Sequence, residues 1–125
     1  MNWTKYSGYY LSATGLIHSV IGVIMGWSIL VLMHEHGWFA STIVNGQMLF
    51  DREAILWFLS LGAFWIVLGL AMQSALDQGF KLPASLGWGF LLLGAVLIVI
   101  VPQSGAYLLV VQGVLIIFGD RRATV

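Results

Sequence analysis

Four long apolar stretches alternate with short polar segments along this chain. They cover about residues 8–33, 53–75, 83–101 and 104–119. An α-helix rises about 1.5 Å per residue, so roughly 20 apolar residues cross the ~30 Å hydrocarbon core of a bilayer. The pattern predicts an all-α integral membrane protein, in which residues 1–125 form one transmembrane domain with the topology of an antiparallel up-down four-helix bundle.

The polar segments between the stretches supply helix starts and stops. Asp51 is expected to be the N-cap of the second span, with Glu53 in its first turn. Pro83 suits the first position of the third span. The segment Pro102-Gln103-Ser104-Gly105 predicts a tight turn before the fourth.

Composition supports the membrane prediction. Hydrophobic residues make up 60% of the chain and charged residues 8%, and the mean hydropathy is +0.96. These values leave no room for a soluble domain. The first apolar stretch is too long for a signal-peptide core and is interpreted as a retained helix. The chain has no cysteine, which excludes disulfides, thiolate metal sites and thiol nucleophiles.

The basic residues predict the orientation in the membrane. One side of a four-span topology carries both termini and the basic residues Lys5, Lys81, Arg121 and Arg122, and the other side carries only Arg52. By the positive-inside rule both termini are cytoplasmic and the loop from His34 to Asp51 faces outward. The lipid bilayer is the predicted partner, and no nucleic acid is expected.

Glycines predict where the helices touch. Lipid tails are as apolar as leucine, so small residues promote helix association by letting backbones approach closely. Three spans have glycines seven residues apart, which is two turns along one face, and the first adds a GxxxG step. The predicted helix-packing positions are Gly15, Gly22, Gly26, Gly62, Gly69, Gly87 and Gly94.

His18 is an ionisable residue within the first apolar stretch. At 100° per residue it falls within about 60° of Gly22, which predicts that it faces the bundle. The segment from Gly15 to Gly22 aligns with a segment of the second span in which Trp65 matches His18. Counted from the inner ends of the spans, Gln112 has a similar depth. The sequence therefore predicts a ligand-binding cluster of His18, Trp65 and Gln112.

Two interpretations of His18 are open. A histidine inside a membrane can ligate haem or a metal, relay a proton or bind a ligand. It can equally be a neutral imidazole that is hydrogen-bonded across the bundle to Gln112 or to a backbone carbonyl. The loop histidines His34 and His36 diverge on a helix, and a hydrated helix end explains them as well, so no metal site is predicted. Arg52 is interpreted as a surface charge.

Several motifs resemble those of a known family. They are Gly15-x-x-His18-x-x-x-Gly22, Phe64-Trp65, Leu82-Pro83-x-x-Leu86-Gly87-Trp88 and Pro102-x-Ser104-Gly105. Together they are similar to a family of small bacterial four-span membrane proteins catalogued only as a domain of unknown function. The resemblance implies a multi-pass protein of the bacterial cytoplasmic (inner) membrane. It implies no reaction, cofactor or catalytic residue.

Three function classes follow for a chain of this kind. The favoured one is binding, or transport, of a small apolar ligand within the bundle. The second is a structural or accessory subunit that packs against itself, as a homo-oligomer, or against a larger membrane complex. The third is a haem- or metal-binding protein that uses His18. An enzyme is disfavoured because the spans contain no paired carboxylates, activated nucleophile or phosphate loop, and no cofactor is specified.

Overall fold

The structure, a computed structural model, describes residues 3–122, with side chains described as far as residue 119. A 3₁₀ helix at Trp3–Tyr6 precedes two helices, α1 (Ser7–Met25) and α2 (Trp27–Glu35). Next come two short strands, β1 (Ile43–Val44) and β2 (Gln47–Met48). Three further helices follow in the described residues: α3 (Phe50–Asp77), α4 (Ala84–Ile100) and α5 (Tyr107–Arg122). The predicted all-α class is confirmed. The side chains of Arg121 and Arg122, used for the predicted orientation, lie outside the described part.

The first predicted span consists of two helices separated at Gly26. The interruption is local, because the Gly26 N–H donates to the Gly22 carbonyl and the Leu30 N–H donates to the Gly26 carbonyl, both at 2.9 Å. The hydrogen-bond ladder thus continues through the break. Gly26 lies against the Ile55 side chain of α3, where a Cβ would collide.

The helix starts differ from the predicted ones. Leu49, not Asp51, is at the N-cap position of α3. The Asp51 carboxylate instead accepts a hydrogen bond from the Arg52 N–H at 2.9 Å. Pro83 is at the N-cap position of α4 in an extended conformation and is not its first helical residue.

Helices α1 and α3 form an antiparallel pair in which glycines face backbone. A Cβ at Gly15 would lie 2.6 Å from the Gly62 carbonyl oxygen, and one at Gly8 would lie 2.5 Å from that of Gly69. Gly8 and Gly15 thus face the α3 backbone, whereas Gly22 and Gly26 face the side chains of Phe58 and Ile55. The two backbones approach as closely as glycine permits.

Helices α4 and α5 form a second glycine-packed pair. A Cβ at Gly87 would lie 2.8 Å from the Gly113 carbonyl oxygen, and one at Gly94 would lie 3.1 Å from that of Ala106. All seven predicted packing glycines therefore lie at helix contacts, together with Gly8 and Gly113, which were not predicted.

One hydrophobic cluster joins the two pairs. Its buried members are Leu11, Trp65, Met72, Phe90, Leu109 and Ile116. They come from α1, α3, α4 and α5, and most lie toward the end of the molecule that carries the 3₁₀ helix and the α3–α4 loop, here called the inner end. With 28 residues α3 is about 42 Å long, whereas α4, with 17 residues, is about 26 Å long. The α1–α3 pair therefore extends beyond the α4–α5 pair at the opposite, outer end.

Candidate functional site

The His18 imidazole lies across α3. Its Nε2 is 3.0 Å from the carbonyl oxygen of Phe58. The ring stacks on the Phe58 ring, with centroids 3.7 Å apart and planes 15° apart. The Trp65 ring is tilted by 60°, with its centroid 5.0 Å away. Gly62 provides the space, since a Cβ there would lie 3.2 Å from His18 Cδ2.

The hydrogen-bond partner of Nε2 determines which ring nitrogen of His18 carries the proton. A carbonyl oxygen only accepts hydrogen bonds, so Nε2 must carry the proton. In the neutral ring the other nitrogen, Nδ1, is then an acceptor. Nδ1 has no hydrogen-bond partner among the described residues, and it is not one of their fully buried unpartnered atoms. His18 therefore joins two helices with one nitrogen and presents an acceptor at the protein surface with the other.

The structure brings His18 and Trp65 together, whereas Gln112 contacts the start of α1, away from His18. Gln112 is fully buried, and its Nε2 donates to the carbonyl oxygen of Ser7 at 3.0 Å. Ser7 and His18 are 11 residues apart on α1, which is about 16 Å along the axis. The prediction that Gln112 lies at the same depth as His18 was wrong. Depth was counted from the ends of the predicted spans, whereas Gln112 packs beside the first residue of α1.

An open groove of about 290 Å³ lies between α1, α2 and α3 toward the outer end. Its lining is Gly22, Met25, Gly26, Ile29, Asp51, Ala54, Ile55 and Phe58. The lining is apolar except for Asp51, in the first turn of α3. Phe58 borders the groove, and its ring also stacks on the His18 ring. The groove and the imidazole are therefore neighbours.

Arg52 organises the outer loop, and its interpretation as a surface charge is wrong. Only 5% of the residue is exposed. Its Nη1 donates to the Ser41 carbonyl oxygen at 2.6 Å and lies 2.8 Å from His36 Nδ1. Arginine only donates, so that histidine nitrogen is the acceptor. A guanidinium that is buried must be hydrogen-bonded, and the loop carbonyl supplies one of its partners.

The loop histidines are engaged with nitrogen donors. His34 Nδ1 accepts from the Trp38 indole N–H at 3.0 Å, and His36 Nδ1 faces Arg52. Among residues 3–122, no group of three or more histidine, cysteine, aspartate or glutamate side chains is arranged to hold a metal ion.

Gln73 is a second buried polar residue that links separate segments. It is 2% exposed. Its Oε1 accepts from the Tyr9 N–H at 3.3 Å, and its Nε2 donates to the Lys5 carbonyl oxygen at 3.0 Å and to Asp77 Oδ1 at 2.9 Å. Helix α1 has no side-chain cap of its own. Gln73 supplies a cap from the neighbouring helix, which satisfies a free N–H of the first turn.

Two long glycine-packed hairpins with apolar surfaces define a helical protein in which two helical segments, Trp3–Met25 and Phe50–Asp77, are long and apolar enough to cross a membrane. The helical segments Ala84–Ile100 and Tyr107–Gly119 are apolar but shorter. The chain belongs to a family of unknown function, DUF6463, which matches residues 2–123. No curated protein and no solved structure matches it.

Proposed function

We propose that the chain crosses a membrane four times. The support is the surface of the helices, on which large apolar side chains are exposed all round, including Ile24 at 70%, Val67 at 66% and Val99 at 82%. Such surfaces suit lipid and not water. A bilayer thins locally around short spans, so α4, about 26 Å long, can cross about 30 Å of hydrocarbon.

The charges support one orientation. Lys5 and Lys81 are at the inner end, whereas Arg52 is the only lysine or arginine at the outer end among the described side chains. Together with the C-terminal arginines, this supports a cytoplasmic location for both termini by the positive-inside rule. For a bacterial chain, as the resemblance implies, the membrane is the cytoplasmic (inner) membrane.

The function we propose is the binding of one small apolar molecule in the groove beside His18. The observation that carries it is the position of Phe58, which stacks on the imidazole and also borders the apolar groove. A ligand in this groove would meet apolar walls and the Asp51 carboxylate, and a ligand that extended past Phe58 would reach a second acceptor, Nδ1 of His18. Few polar groups on apolar walls are typical of small-molecule sites. An acceptor selects a ligand that carries a hydroxyl, such as a quinol, over its oxidised quinone.

The test is binding of decylubiquinol and decylubiquinone to the full chain in nanodiscs, followed by the ¹⁵N shift of His18 Nδ1. The quinol should bind more tightly and shift Nδ1. His18→Leu removes the acceptor and should lose about tenfold in quinol affinity, the value of roughly one hydrogen bond, whereas His18→Gln keeps one donor and one acceptor and should keep stability and most of the affinity. His34→Gln, a histidine change outside the spans, is the control. Equal binding of both probes, or of neither, contradicts the proposal.

A second candidate is a structural or accessory subunit. The observation that favours it is that polar residues of the spans hold helices together: Ser12 Oγ donates to the Ile66 carbonyl oxygen at 3.2 Å, and Gln112 donates to Ser7. In that case His18 is only one more such link. Wild type would then retain no ligand, His18→Gln would behave as wild type, and His18→Leu would lose only stability.

A further inference from the structure

A second cavity, of about 180 Å³, lies at the inner end of the molecule. It is formed by the 3₁₀ helix, the start of α1, the segment from Leu76 to Leu82 and the last turns of α5. A single water needs roughly 10–15 Å³, so the cavity exceeds that volume by about an order of magnitude. It is separate from the groove beside His18, with which it shares no lining residue.

The wall of the cavity carries two cationic side chains. Lys5 and Lys81, both lysines of the chain, contribute to its wall although they are 76 residues apart in sequence. The remainder of the wall is largely apolar and includes Phe80, Leu82 and Ile116. Cationic groups beside apolar walls match a ligand with an anionic head and a hydrocarbon body.

An independent observation also indicates a polar ligand. Ser7 contributes to the cavity wall, is 1% exposed, and its Oγ has no hydrogen-bond partner. Buried hydroxyl groups are nearly always hydrogen-bonded, so an unpartnered one calls for a missing partner. Ser7 is also the first residue of α1, where the helix dipole favours an anion.

We infer that this cavity binds the phosphate headgroup of an anionic phospholipid from the inner leaflet. Lys5 and Lys81 would attract the phosphate, Ser7 Oγ would donate to one of its oxygens, and the acyl chains would leave along the apolar wall. Basic pockets between helices at the cytoplasmic surface suit anionic headgroups in this way. A free phosphate ion has the same anionic group as the lipid headgroup, but it has no hydrocarbon part to pack against Phe80 and Leu82. The inference rests on the proposed membrane location.

Native mass spectrometry of the full chain in mild detergent tests it. Wild type is offered an equimolar mixture of dioleoyl phosphatidylglycerol and dioleoyl phosphatidylcholine. It should retain at least about tenfold more phosphatidylglycerol than phosphatidylcholine. Replacing both lysines by alanine should abolish the preference, whereas replacing both by arginine should keep it. Ser7→Ala should reduce retention several-fold, and Ser85→Ala, an exposed serine on the same side, should not.

Two results would overturn the inference. Equal retention of both lipids by wild type is one, and it needs no variant to fold. Displacement of phosphatidylglycerol by millimolar inorganic phosphate is the other, because the site would then be one for the free ion. A chain that alkaline washing removes from membranes would instead refute the membrane location, so the two failures are distinguishable.

Discussion

The glycines at the helix contacts matter because they have no Cβ atom. A Cβ at Gly15 would first meet the Gly62 carbonyl oxygen and the Ile66 backbone nitrogen, and these atoms cannot move aside as a flexible side chain can. Gly89 of α4 is the opposite case, since nothing lies within 4 Å of a Cβ there. Gly79 is also open, but its φ of +84° would strain any other residue. Gly89 is therefore the proper control for the packing glycines.

Gly15→Ala should lower the free energy of unfolding by about 1–3 kcal/mol, the usual cost of overpacking a close contact. Gly89→Ala should be neutral or stabilising by up to about 1 kcal/mol, because alanine is the better helix former. Unfolding in mixed micelles with increasing dodecyl sulfate would measure both. A Gly15→Ala variant as stable as Gly89→Ala would show that the helices do not meet there.

The two buried glutamines should differ in their contribution to stability. Gln73 makes three hydrogen bonds, whereas Gln112 makes one and leaves its Oε1 buried and unpartnered. Gln73→Met should therefore cost about 2–3 kcal/mol and Gln112→Met less than about 1 kcal/mol, since the latter also removes an unsatisfied atom. Unfolding in mixed micelles with increasing dodecyl sulfate would measure the free energy of unfolding of both variants. The reverse order of stabilities would contradict these hydrogen-bond assignments.

The role of an individual residue could be predicted from the sequence where a pattern repeats. Glycines seven residues apart indicated helix faces, but Gly113 has no glycine seven residues away in α5, and only its contact with Gly87 reveals its role. The partner of a polar side chain depends on which helix lies opposite and at what height. Neither the Ser7 contact of Gln112 nor the cap that Gln73 supplies to α1 could be read from local sequence.

At the scale of elements, the outer loop contains more structure than was predicted. Asn45 and Gly46, with φ of 52° and 75°, connect β1 and β2 with Val44 opposite Gln47. Asn-Gly between short apolar runs is the usual signal for a two-residue hairpin turn, because both residues tolerate positive φ. The hairpin signal was therefore present in the sequence, although the four-span prediction did not include a hairpin.

Arg52 should hold this loop against the start of α3. Arg52→Gln cannot reach both the Ser41 carbonyl and His36, so backbone amides of residues 36–49 should exchange hydrogen at least about tenfold faster, as expected for the loss of more than one bond. Gln47→Ala, in the exposed strand β2, is the control. Unchanged exchange in Arg52→Gln would show that other contacts hold the loop.

For the whole molecule, the two helical pairs differ in length and meet near the inner end. The apolar pattern gave the four stretches, since length and hydropathy are local properties. It could not reveal that the α1–α3 pair extends beyond α4 and α5, because that depends on the Leu11 and Gln112 contacts between distant segments. The groove beside His18 lies in that extended part.

The four-span arrangement underlies both binding proposals, and the lack of native cysteine allows a direct test of it. Single cysteines at Gln47, Gln78 and Gln103, all exposed, would be labelled in cells with a membrane-impermeant maleimide. Gln47→Cys and Gln103→Cys should react in intact cells, and Gln78→Cys only after permeabilisation. Reaction of Gln103→Cys only after permeabilisation would mean that α4 and α5 do not cross the membrane, and the four-span account would be contradicted.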